Sequence, residues 1–124
     1  MTTPPTAQPP YAASLRAGDF VFTAGQVPRD ANRNVIGASI EEQAAAVFDK
    51  LRVALAAHGA TLDDVVKMQV FLADMAEWPR FNAEYARQMG TSRPVRTTVG
   101  CDLNGVKVEI DAVAYRPPPA ARAG

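Results

Sequence analysis

The chain has 124 residues and a mass of 13.2 kDa, with 48% hydrophobic and 21% charged residues, a balance that suits one globular domain and excludes a disordered chain. Thirteen basic residues match thirteen acidic ones, so no net field directs the protein to nucleic acid or to an anionic membrane surface. One cysteine excludes an internal disulfide framework, and with one histidine it cannot build a zinc cage. No apolar run approaches a membrane span and no signal-peptide pattern opens the chain, so a cytoplasmic protein with no membrane partner is expected.

Seven of the ten prolines lie in the tails. Residues 1–10 read as a flexible proline-rich arm, residues 11–116 as a single domain, and residues 117–124 as a flexible Pro/Ala tail. Phe20-Val21-Phe22-Thr23-Ala24 is strand-like and follows an Ala17-Gly18-Asp19 turn that folds it against Ala12 to Arg16. Gly25 ends that strand, and Pro28 to Asn34 reads as a loop. Ser39 and Glu42 have capping-box spacing, and Ala44, Val47, Phe48, Leu51 and Leu55 then define one apolar helix face that Gly59 stops. Val65 to Leu72 is a strand with Val66, Met68, Val70 and Leu72 on one face and Val65, Lys67, Gln69 and Phe71 on the other. A second helix fits Pro79 to Met89, with a Phe81, Tyr85, Met89 stripe for the core.

Val95 to Leu103 and Val106 to Tyr115 flank Asn104-Gly105, a strong signal for a two-residue hairpin. That register sets Gly100 opposite Glu109 and Arg96 opposite Val113. One face then carries Val95, Thr97, Val99, Cys101, Val108, Ile110, Ala112 and Ala114, and Cys101 reads as a buried, inert thiol. The other face carries Arg96, Thr98, Asp102, Lys107, Glu109 and Asp111. Arg96 could clamp a carboxylate and Glu109 could act as an acid/base, although charged strand faces more often simply meet water. About 13 Å of strand would separate their backbones, so the two would converge only on a ligand lying between them. His58 reads as a helix-end residue and Trp78 as a packing residue. Two helices can cover one face of a five-stranded sheet, while Phe20, Phe22, Val65 and Phe71 suggest apolar material on both, so a second subunit is expected over the other.

Tyr11, Phe22-Thr23-Ala24-Gly25-Gln26-Val27-Pro28, the Gln43 helix, Val66 to Leu72, Asn82-Ala83-Glu84-Tyr85, Pro94-Val95-Arg96 and Val108-Glu109-Ile110 occur in an order that resembles the reactive intermediate deaminase (Rid, or YjgF) family. The resemblance runs from Tyr11 to Tyr115. It implies an α+β, chorismate-mutase-like subunit, with two helices on one face of a mixed sheet, and a barrel-like homotrimer with ligand sites in the clefts between subunits. It also implies hydrolysis of reactive 2-imino and enamine acids, such as 2-iminobutanoate and 2-iminopropanoate, to 2-keto acids and ammonia, with no cofactor. By the same resemblance Arg96 holds the substrate carboxylate and Glu109 activates water and returns a proton to nitrogen. Tyr11, Ala24, Gly25, Asn82 and Thr98 would border the substrate.

Two positions depart from the family pattern: Ala24 stands where it has serine, and Thr98 where it has cysteine. Those departures keep a divergent paralogue acting on an aminoacrylate- or aminomuconate-type enamine in view. A non-catalytic trimer that binds small carboxylates is a further alternative. Some relatives are called endoribonucleases, but the balanced charge gives no basic stripe for a phosphate backbone.

Overall fold

The computed structural model describes residues 9–119; the remainder of the expected arm and tail, 1–8 and 120–124, lies outside the described residues. Strands β1 (Ser14–Ala17) and β2 (Phe20–Thr23) form the first hairpin, with Gly18 at φ 60° in its turn. Helix α1 (Ile40–Ala56) follows, then β3 (Val65–Leu72), α2 (Trp78–Met89), β4 (Val95–Gly100) and β5 (Val108–Tyr115). The five strands form one mixed sheet in the order β1-β2-β5-β3-β4, with both helices packed on one face. Among the described residues, no helix is long and apolar enough to cross a membrane.

Helix α1 begins where the capping box predicts. The Ser39 hydroxyl accepts the Glu42 N–H at 3.1 Å, and the Glu42 carboxylate accepts the Ser39 N–H at 3.2 Å. Its apolar face, Ile40, Ala44, Val47, Phe48, Leu51 and Leu55, is fully buried. Phe81 and Met89 of α2 join that core from the side, and Tyr85 meets Phe48 edge-on at 5.7 Å. Met68, Val70 and Leu72 of β3 and Val108, Ile110, Ala112 and Ala114 of β5 supply the sheet side.

The expected final hairpin does not form. Asn104 and Gly105 do make a turn, with φ 54° and 93°, but β4 has already ended at Gly100. Strand β4 instead pairs parallel to β3 after the α2 crossover, and β5 inserts antiparallel between β2 and β3. Residues 101–107 cross the end of β3, held by Cys101 N–H to Leu72 C=O and Ala73 N–H to Lys107 C=O, both 3.0 Å. Burial explains the choice. β5 buries every second side chain, whereas β4 buries none fully and so takes the edge.

The exchange also redistributes the faces. Arg96 and Thr98 align with the buried Met68 and Val70, on the helix side; Glu109 aligns with Phe71, on the open side. The single polar face of Arg96, Thr98 and Glu109 is therefore divided between two faces. Cys101, past the end of β4, is exposed rather than buried. A register shift between Val65 and Lys67 turns Val65 inward at 6% exposure and leaves Val66 outward at 43%, reversing their expected placement.

On this packing Phe48→Ala should cost about 3–5 kcal/mol in urea unfolding, and Ser39→Ala about 1 kcal/mol. A Ser39→Ala protein as stable as the parent would remove the capping box from the account.

Candidate active site

The first half of the site forms where β2 runs on beyond its regular pairing. Gln26 and Ile110 exchange backbone hydrogen bonds, N–H of Gln26 to Ile110 C=O at 2.8 Å and the reverse at 3.1 Å. This carries Gly25 against Glu109 so closely that a Cβ there would collide with the Glu109 carboxylate, lying 2.9 Å from its carboxyl carbon. Glycine is needed here for close approach rather than for an unusual φ. Tyr11, Ala24, Gly25 and Glu109 line one open cavity of about 460 Å³, so four of the expected site residues do come together.

Burial raises the Glu109 carboxyl above its ordinary value, and the like charge of Asp111, two residues on along the same face, adds to the effect. Burial likewise raises Asp111, with Lys67 opposing it. A carboxylate of this kind is suited to accepting and returning a proton nearer neutrality.

The second half lies on the helix side of the edge strand. Arg96 stacks over the Tyr85 ring at 4.6 Å and lies 5.6 Å from the centre of Phe81, while its Nη2 donates to Asn82 Oδ1 at 2.7 Å. Helix α2 thus fixes the plane of the guanidinium and leaves donors free for a carboxylate. The Thr98 and Tyr85 hydroxyls are buried with no hydrogen-bond partner among the described residues. Burial raises the Tyr85 hydroxyl despite the opposing charges of Arg96 and Arg93.

Arg96, Asn82 and Thr98 are therefore held together, as are Tyr11, Ala24, Gly25 and Glu109, but one subunit does not join the two sets. His58 sits beyond the end of α1, with Nε2 3.4 Å from Ser14 C=O, apart from both. Arg29, Arg33, Leu103 and Asn104 also line the Glu109 cavity and were not singled out from the sequence. The arginines stand in the Pro28 to Asn34 stretch, which the sequence marks only as a loop. Gln43 has a structural part: its Oε1 accepts the Lys107 N–H at 2.8 Å and its Nε2 donates to Gly37 C=O at 3.1 Å, anchoring the approach to β5.

A family model described as endoribonuclease L-PSP matches residues 1–116. A RutC family protein of Pyrococcus horikoshii is 36% identical over 110 residues, covering 86% of this chain and 87% of that protein. Mitochondrial Mmf1 of Saccharomyces cerevisiae is 35% identical over 107 residues, covering 86% of this chain and 74% of that protein. The crystal structure of yeast Mmf1 superposes with a TM-score of 0.83 over 90% of this chain and 91% of that one. TdcF of Escherichia coli, whose name describes a proposed reactive intermediate deaminase, is 29% identical over 117 residues, covering 90% of this chain and 91% of that protein. Its crystal structure with bound serine superposes with a TM-score of 0.80 at 31% identity, covering 90% of this chain and 92% of that one. Sequence and fold agree on one assignment: the chain belongs to the endoribonuclease L-PSP family, the family of YjgF, RutC and the reactive intermediate deaminases.

Proposed function

We propose that the protein is a cofactor-independent deaminase that hydrolyses reactive 2-imino and enamine acids of the 2-iminobutanoate and 2-iminopropanoate type, working as a homotrimer with its sites between subunits. The observation that carries this reading is the division of the site. Arg96 lies on the helix side of an edge strand and Glu109 on the open side of the sheet, so a centre that uses both must draw them from two copies. The open face suits a second copy, since Leu15, Phe20, Phe22, Val99 and Tyr115 are exposed. In support, TdcF is the structure of a relative with an amino acid bound.

In this mechanism Arg96 pairs with the substrate carboxylate and presents the imine carbon to the Glu109 side of the cleft. Glu109 accepts a proton from water as the water oxygen bonds to that carbon, and the imine nitrogen takes up a proton from solvent to give a carbinolamine. Glu109 then returns its proton to nitrogen. The carbinolamine hydroxyl then gives its proton to the Glu109 carboxylate, its O–H electron pair closes the C=O of the 2-keto acid, and the C–N bond breaks with its electrons leaving on ammonia. Glu109 releases that proton to solvent, replacing the one the imine nitrogen took up. The overall balance is imino acid plus water giving keto acid plus ammonia. Thr98 carries a buried hydroxyl with no partner among the described residues, while Ala24 has no hydroxyl at all.

Those two positions also support a second reading, a paralogue specialised for an aminoacrylate- or aminomuconate-type enamine. A non-catalytic carboxylate-binding trimer differs from both in lacking turnover. The cytoplasmic location is part of the proposal, since the name of one relative, Mmf1, places it in mitochondria.

The test is a coupled assay in which an amino acid oxidase generates 2-iminobutanoate or 2-iminopropanoate and semicarbazide traps what survives. Wild-type protein should lower trapping. Arg96→Ala should lose about a hundredfold in kcat/KM, and Glu109→Gln at least as much. Full activity in Arg96→Ala would sink the mechanism.

The pH profile carries its own sign. Glu109 must be ionised to accept the proton, so kcat/KM should fall as pH drops through its raised pKa, nearer neutrality than for an ordinary carboxylate. Asp111→Asn removes a like charge and should move that acid limb to lower pH. An unmoved limb would show that another group controls it.

A further inference from the structure

The cavity that holds Glu109 has a second charged wall that the hydrolysis above does not use. Its scaffold is the loop after Pro28, which closes on itself. Asp30 Oδ1 accepts the backbone N–H groups of Asn32 and Asn34, both at 2.9 Å, and the Asp30 N–H bonds Asn34 C=O at 2.9 Å. Within this loop Arg33 takes φ 70°, a left-handed backbone that a non-glycine residue adopts only where its surroundings hold it.

Arg29 is the pin of the loop. Its Nη1 donates to Arg33 C=O at 2.7 Å and its Nη2 to Asn104 C=O at 2.9 Å, joining the loop to the turn at Asn104-Gly105. Its own C=O accepts Lys50 Nζ at 3.0 Å, and Val27 C=O accepts the same ammonium at 2.9 Å. A guanidinium has five donors, so Arg29 keeps N–H groups to spare while its position is set by its neighbours. Arg33 makes no side-chain hydrogen bond or ion pair among the described residues. Among the described residues neither arginine pairs with an acidic side chain, although both line the Glu109 cavity. The Asp30 carboxylate is instead occupied by backbone amides.

We propose that Arg29 and Arg33 form a subsite for a second carboxylate, so that the protein favours dicarboxylic 2-imino acids over those with short apolar side chains. This rests on the Glu109 cavity being the substrate cleft. With Arg96 of the neighbouring copy on the α-carboxylate, the substrate side chain is left to the Arg29–Arg33 wall. Two guanidinium forks, one already immobilised, suit a planar carboxylate. Arg29 orients the subsite and Arg33 closes on the ligand.

The experiment measures calorimetric affinities for two stable keto acids, 2-oxoglutarate and 2-oxobutanoate, beside the coupled imine assay. It uses full-length protein as wild type, Arg33→Ala and Arg33→Lys, with circular dichroism to check the fold. Wild type should bind 2-oxoglutarate about tenfold or more tightly than 2-oxobutanoate, as one added charge-assisted pair warrants. Arg33→Ala should shrink that ratio about tenfold, and Arg33→Lys should restore part of it. Equal affinities in wild type, a ratio unchanged in Arg33→Ala, or no binding of either acid would overturn the subsite. A dicarboxylate preference without imine hydrolysis would keep the subsite and reject the deaminase reading; hydrolysis without the preference would reject the subsite alone.

Discussion

Strand β5 must bury Val108, Ile110, Ala112 and Ala114 beneath the helices, and the two-residue period of a strand then forces Glu109 and Asp111 to the opposite face. That alternation is the constraint on which the site depends. The same strand anchors Gln26, and through it Gly25, so the core that stabilises the sheet also sets the distance from the Gly25 backbone to the Glu109 carboxylate. Burial around β5 then raises the Glu109 carboxyl above its ordinary value. A slip of β5 by one residue would expose four apolar side chains and bury two carboxylates, so packing holds the geometry of the candidate site in register.

Strand β4 obeys the opposite logic. It buries no side chain fully, and it stands at the sheet edge beside α2. There Arg96 gains two aromatic faces and the Asn82 amide oxygen, which hold a long, entropically costly side chain in one orientation. The result is one preorganised cation on one side of the sheet and one tuned carboxylate on the other. In the proposed trimer, this division makes assembly itself the step that completes the active site.

Much of the architecture was legible in local sequence. The Ser39–Glu42 box, the apolar stripe through Leu55 and the Val65–Leu72 strand carry their signals within a few residues, and the structure places them accordingly. The grouping of Tyr11, Ala24, Gly25 and Glu109 was legible only through resemblance, because the residues are far apart in the chain and nothing local links them. Arg29 and Arg33 escaped notice because a loop arginine gains meaning only from what lies across the cavity. Val65 and Val66 were misplaced because a bulge is a property of pairing, not of one strand's composition.

By itself, the sequence determined which segments become helices and strands, where α1 starts, that Asn104-Gly105 turns, and which side of β5 enters the core. These follow from capping, periodicity and allowed backbone angles within a short window. Tertiary structure alone decided that β4 and β5 part company, that Arg96 and Glu109 fall on opposite faces, and that Cys101 meets solvent. The reason is competition. The Asn104-Gly105 turn was compatible with a hairpin, but seating β5 beside both β2 and β3 buries its whole apolar face, and the weaker candidate for burial, β4, is left to the edge.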